Sequence, residues 1–418
     1  MTAILTIKNN VVVGITGFKF DVHNVVIPAG VEGIEGGVFE KCNKISFVLF
    51  PETLTKIGSS GFAGCAQLSS LTLPDSLTHI GLSAFSRCRS LTSIGLPSNL
   101  KSIADTTFQD CTGLTAIALP KELTCVGSCA FRYCRSLASV TIPNKVTRIG
   151  DSCFRGCCAL TSLVLPASLV SLGDSAFNSC RSLTSVTLPA NLTSLSQSVF
   201  RNCSGITRLT LPDKMSRIDD SAFAFCTGLT SLALPTHLVH VGVSAFEGCK
   251  GLASITLPPG IKKISSQAFK DCSNITSLSL PHQLNEIESE AFAGCHGLVS
   301  LTLPHSLQNI GSRAFCRCIG LTSITLPPNL VHVRASAFLR CTSLTSVVFR
   351  PNVPPAFIAW AIGNSRKRTN CHVTTLKRYR NILKRITVFS LECREVGSVD
   401  PDGYKGVFTG CVKLNLPY

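Results

Sequence analysis

Residues 85–107 read FSRCRSLTSIGLPSNLKSIADTT, and at Phe108 the same order begins again. Phe85 and Cys88 stand three apart; Leu91, Ile94 and Leu96 follow, then Pro97, then Leu100 and Ile103. The Phe-x-x-Cys pair returns every 23 residues without insertion, from Phe39/Cys42 to Phe338/Cys341, which makes fourteen copies. A proline keeps the same beat from Pro28 to Pro327 and accounts for fourteen of the chain's 21 prolines. Two independent columns with one period identify a solenoid of near-copies, each too small to bury its own apolar side chains without neighbours.

The spacing of Leu91, Ile94 and Leu96 turns alternate side chains of a short strand inward, and Pro97 ends that strand because it has no N–H to give a ladder. Gly173-Asp174-Ser175-Ala176-Phe177 shows the typical approach to the Phe. It reads as a turn and an N-cap that open one short helical turn, carrying Phe and Cys inward. Positions of the Leu100 and Ile103 type hold a second brief extended segment. Each coil is therefore strand, extended segment and helical turn, and stacking makes one parallel sheet of short strands with the other two elements on the remaining sides.

This order resembles the BspA-like class of leucine-rich repeats, whose consensus runs A-F-x-x-C-x-x-L-x-x-I-x-L-P over the same 23 residues. The resemblance covers about residues 26 to 349. It implies a leucine-rich-repeat solenoid and leaves open what its surface binds. Residues 1–38 are expected to form an N-terminal cap and the first partial coils, 39–349 the solenoid, and 350–418 a basic C-terminal cap.

That last segment carries half of the chain's net charge of +16, with twelve basic residues against four acidic ones. From Leu376, the apolar Tyr379, Ile382, Leu383, Ile386 and Phe389 fall three or four apart, with basic residues between them. The pattern is that of a basic amphipathic helix, a helical cap that lays its apolar face on the last coil. The rival reading makes Arg366, Lys367, Arg368, Lys377, Arg378, Arg380, Lys384 and Arg385 a contact for nucleic acid or anionic membrane. Phe408 and Cys411 look like a degenerate repeat, one residue out of register.

Fourteen of the 22 cysteines occupy one column. Stacked equivalents ~4.8 Å apart are too far for the β-carbon separation of a disulfide, so they read as a reduced ladder suited to a cytoplasmic protein. Off the column, Cys125, Cys129, Cys153, Cys158 and Cys316 make no double C-x-x-C pattern, and His282 and His305 lack a third ligand, so no metal or other cofactor is expected. The chain has no G-x-S-x-G elbow, no phosphate loop and no H-E-x-x-H, and its serines sit at repeat positions without a paired base, which excludes the commonest enzyme readings. No run of 18 apolar residues spans a membrane, and the N-terminus lacks a basic region ahead of its apolar residues, so neither a transmembrane helix nor a secretory signal is expected.

The outward strand positions are small and neutral, as in Ser93, Ser139 and Thr141, and make a flat polar face. The turn positions vary more: Arg87, Arg89, Arg132, Arg135, Arg155, Arg181 and Arg201 flank the Phe and Cys columns and should form a basic stripe. The expectation is a monomeric, non-enzymatic scaffold that binds a protein partner, an acidic one if the stripe is used. A surface or secreted adhesin, and polyanion binding by the tail, are the alternatives.

Overall fold

A computed structural model of the protein describes residues 3–16, 21–349 and 389–391. The chain divides into two compact units, Met1–Lys214 and Met215–Tyr418. Each unit is a parallel solenoid with the 23-residue coil.

The first unit opens on a hairpin, strands β1 (Ile4–Lys8) and β2 (Val11–Thr16), paired antiparallel. Val11 and Val12 then pair in parallel with Gly33 and Ile34 of the first coil, so β2 converts an exposed end into a bonded one. Within the coils two kinds of short strand alternate. The outward-serine strand, such as Ser93–Gly95, has an exposed-buried-exposed pattern. In the first unit it joins its neighbours pairwise, Ser70–Thr72 with Ser93–Gly95 and Ala116–Ala118 with Ser139–Thr141. The two-residue strands after the proline make the longer ladder, running Ser102–Ile103, Cys125–Val126, Arg148–Ile149, Ser171–Leu172. What the spacing predicts as a brief extended segment is thus a bonded sheet of its own.

The Phe-bearing segment is not helical, and among the described residues there is no α-helix. Two residues per coil take the left-handed conformation, two before and two after the Phe: Ser83 and Arg87 (φ 55° and 62°), then Thr106 and Asp110 (φ 57° and 60°). In a helix every amide bonds along its own axis. Here the left-handed residues alternate the direction of the amides: Gly61, Ala63 and Cys65 bond three residues back, while Ser60, Phe62 and Gly64 donate to Leu82, Ala84 and Ser86 of the next coil at 2.7–2.8 Å. The helical turn expected from Ser-Ala-Phe is replaced by turns bonded coil to coil, which offsets the roughly 1 kcal/mol or more that each left-handed non-glycine residue costs.

The interior is columnar. In the first unit Phe39, Phe62, Phe85, Phe108, Phe131, Phe154, Phe177 and Phe200 are fully buried and stack face to face, with centroids 4.8–5.8 Å apart. In the second unit the stack runs from Phe223 to Phe338 at 5.3–5.5 Å. The column thiols are buried beside the rings, and within each unit they donate to the carbonyl of the Phe one coil back, as in Cys111 Sγ to Phe85 O at 3.1 Å, Cys157 to Phe131 at 3.2 Å and Cys295 to Phe269 at 3.2 Å. The thiol therefore fills space as a small apolar group does and also satisfies a second lone pair on a buried carbonyl. Every described cysteine is a free thiol.

At the far end, Ser346–Phe349 pairs in parallel with Ser323–Leu326 and then antiparallel with Phe389–Leu391. Phe389, placed by periodicity in an amphipathic helix, lies in a strand, because the open edge at Val347–Phe349 bonds a returning chain. The rest of the expected helical cap, residues 376–388, and the degenerate repeat at Phe408 lie outside the described residues.

Two outcomes follow. Phe154→Ala, in the middle of a stack, should destabilise the first unit by about 3–5 kcal/mol, whereas Ser139→Ala on the outer strand face should stay within about 0.5 kcal/mol, read from urea unfolding by circular dichroism. Burial pushes the thiols of Cys88 and Cys295 up from 9.0 to about 12. The unfolded chain therefore releases those protons first, so stability should fall progressively from about pH 9 toward pH 12, and Cys88→Ala with Cys295→Ala should flatten that fall.

Candidate binding face: the arginines of the turn side

All seven arginines of the expected stripe belong to the first unit and lie on turns. They fall in three columns. Arg132, Arg155 and Arg201 follow the Phe directly, Arg89, Arg135 and Arg181 follow the Cys, and Arg87 occupies the left-handed position two after the Phe. Arg87, Arg89, Arg135 and Arg181 are exposed, and the other three are half-buried. Equivalent positions on successive coils are ~4.8 Å apart, so the structure aligns these side chains along one side of the unit.

The carboxylates at the start of the turns are bonded to backbone amides and do not pair with the arginines. Asp105, Asp151 and Asp174 stand at the start of the turns, and each Oδ1 accepts a backbone N–H from the next coil: Ser128 at 2.7 Å, Asp174 at 2.9 Å and Gln197 at 3.1 Å. They serve as caps between coils. Among the described residues Arg87, Arg89, Arg132, Arg135, Arg155 and Arg181 form no ion pair with an acidic side chain. A row of cations not held in ion pairs attracts an acidic surface.

At the centre of the stripe stands a residue that sequence reasoning passed over. Tyr133 is half-buried and left-handed (φ 60°), with the Arg132 guanidinium 4.9 Å and that of Arg135 5.9 Å from its ring centroid. Arg132 Nη2 also donates to the Tyr133 hydroxyl at 3.5 Å. The ring lies flat across the next coil because position 156 is glycine: a Cβ there would meet Tyr133 Cδ1 at 2.4 Å. The signal in the sequence is an aromatic residue in the column two after the Phe, followed 23 residues later by Gly; Phe225 and Gly248 repeat it in the second unit. Arg132 donates to the Tyr133 phenol and holds its pKa below the usual range, against the upward effect of burial and with help from the charge of Arg155.

The remaining expectations fall elsewhere. Cys153 and Cys316 are buried, and Cys125, half-exposed, takes Nε and Nη2 of Arg148 at 3.3 and 3.2 Å. His282 and His305 are exposed turn residues. Among the described residues no three His, Cys, Asp or Glu side chains converge as a metal needs, and no helix is long and apolar enough to cross a membrane. The eight basic residues from Arg366 to Arg385 lie outside the described residues.

A family model for the BspA type Leucine rich repeat region matches the chain in stretches 32–158, 147–276 and 262–356. The crystal structure of a leucine-rich repeat protein from Bacteroides ovatus ATCC 8483 is 25% identical, covering 82% of this chain and 92% of that one, with a TM-score of 0.51. That of a leucine rich cell surface protein from Faecalibacterium prausnitzii A2-165 is 24% identical, covering 83% and 92%, with a TM-score of 0.49. No curated protein sequence matches the chain.

If Arg132 sets the state of the phenol, Arg132→Ala should move the ionisation of Tyr133 upward toward that of an ordinary tyrosine, seen as a difference in ultraviolet absorbance titration against wild type. An unchanged titration would mean that the contact does not hold in solution.

Proposed function

This chain belongs to the BspA-type leucine-rich-repeat family, and on that premise we propose that it is a non-enzymatic binding protein whose arginine-bearing turn side docks an acidic protein surface. Leucine-rich-repeat proteins of this type generally mediate protein–protein interaction or adhesion. The observation that carries the finer reading is the row of arginines in which Arg87, Arg89, Arg135 and Arg181 are exposed and form no ion pair among the described residues, while Asp105, Asp151 and Asp174 are bonded to backbone amides. Tyr133 adds the kind of anchor that interfaces favour, an aromatic ring held rigid between arginines and a glycine. The flat Ser and Thr face offers neither charge nor anchor over most of its length. Many of the threonines beside the strands bond the previous coil, as Thr92 Oγ1 does to Ser69 O at 3.0 Å and Thr184 Oγ1 to Thr161 O at 3.1 Å. Buried thiols that donate to carbonyls suit a reducing interior, and we place the protein inside the cell as a monomer.

The test is affinity capture from nuclease-treated lysate of the source cells. It compares the wild-type chain with two variants: arginines 87, 89, 132, 135, 155 and 181 changed to Gln, and the basic residues between 366 and 385 changed to Gln. Loss of the captured proteins with the first variant alone, together with release of wild-type captures as salt rises, is the expected outcome. Loss only with the second variant, or disappearance of every capture after nuclease treatment, would transfer binding to the tail and to a polyanion.

A further inference from the structure

On the outward strand positions of the first unit, where Ser and Thr predominate, large apolar residues cluster on two successive coils, with Val164 standing apart further along. In the first outward column Phe47 precedes Ser70 and Ser93; in the third, Val26 and Leu49 precede Thr72, Gly95 and Ala118. Val26, Phe47 and Leu49 are 45, 50 and 53% exposed and together make an apolar step on a mostly polar face. Beside the step the surface drops away. Gly95 is paired with Thr72, and a Cβ built on it would meet only the Thr72 side chain and Cα, at 3.6–3.8 Å, which is ordinary contact. Neither sterics nor a left-handed backbone calls for glycine there, so the missing side chain opens space without serving the fold. The result is a groove of about 570 Å³ over the coils of Phe47, Ser70 and Ser93, with Leu49, Thr72 and Gly95 in its lining.

Its rim is acidic in a chain of net charge +16. Glu52 and Asp75, each following the strand-ending proline, line the groove and are exposed. Asp75 Oδ1 accepts the Ser98 N–H at 3.2 Å, while Glu52 has no hydrogen bond or ion pair among the described residues. We propose that this groove binds an extended peptide of a partner protein that seats an aliphatic or aromatic side chain against Leu49, in the groove that Gly95 widens, and sets a lysine or arginine against Glu52. At ~3.3 Å per residue of extended chain, the cation follows the apolar side chain by about three residues, the separation of Leu49 from Glu52. The site is distinct from the turn-side arginines in both place and charge, and it selects a basic partner segment where they select an acidic one.

The probe is a dye-labelled peptide in which leucine and lysine are separated by two serines. Its controls carry glutamate for lysine or serine for leucine, and binding to the full chain is followed by fluorescence anisotropy. The lysine peptide should bind about tenfold or more tightly than either control. Gly95→Thr places in the groove the residue that the neighbouring coil carries at that position, so it should leave thermal unfolding unchanged and weaken binding about tenfold. Leu49→Thr should do the same, and Glu52→Gln should weaken binding and remove its salt dependence. No binding of the lysine peptide, equal binding of the glutamate control, or affinities untouched by both Gly95→Thr and Leu49→Thr would overturn the proposal.

Discussion

The contact on which each unit depends is made at the carbonyl of the column phenylalanine. Phe131 O accepts the amide of Cys134 at 3.1 Å within its own coil and the thiol of Cys157 at 3.2 Å from the next, while the ring of Phe131 faces that of Phe154 at 5.3 Å. A buried carbonyl has two lone pairs to satisfy, and leaving one unmet costs about 1–3 kcal/mol. The thiol is placed to meet it only if the next coil is in register. Ring stacking and thiol donation therefore require the same 23-residue step. An insertion between coils would break both at once, which is the physical sense of a period kept without slips.

With the interior committed to fixed columns, variation is confined to outward positions, and there it organises into two surfaces of opposite charge. On the turn side, aspartates bonded to backbone amides do not pair with the arginines, and Gly156 lets Tyr133 lie flat among them. On the strand side, Phe47 and Leu49 rise where most coils carry small residues, and Gly95 leaves a depression two coils on. Both surfaces combine a large residue with a missing side chain on another coil, one coil away for Tyr133 and Gly156 and two for Leu49 and Gly95.

Much of the fold was legible because side-chain periodicity reports which positions face inward. The columns of Phe85, Cys88, Leu91, Ile94 and Ile103 are buried as the spacing requires, and the arginines assigned to the turns lie there. The misreadings concern the backbone. Ser-Ala before Phe looks like a helix start, yet the residue two before the Phe, Ser83 or Ser175, is left-handed and its amide bonds the next coil. The apolar spacing around Phe389 fits a helix, yet that residue completes a sheet edge. Tyr133 and Gly156 were unremarkable separately, because nothing local to either shows that one ring fills the space the other leaves open.

The sequence by itself determined the coil length, the inward columns, the end of each outer strand at its proline and the positions rich in positive charge. These follow from alternation and spacing along a single stretch of chain. Tertiary structure alone decided where each amide and thiol donates, that the proline-following segment forms the longer ladder, and that arginines scattered over five coils align beside a tyrosine. Those outcomes rest on partners 20 to 26 residues apart brought within hydrogen-bond or van der Waals distance, and such contacts exist only once one coil has been laid on the next.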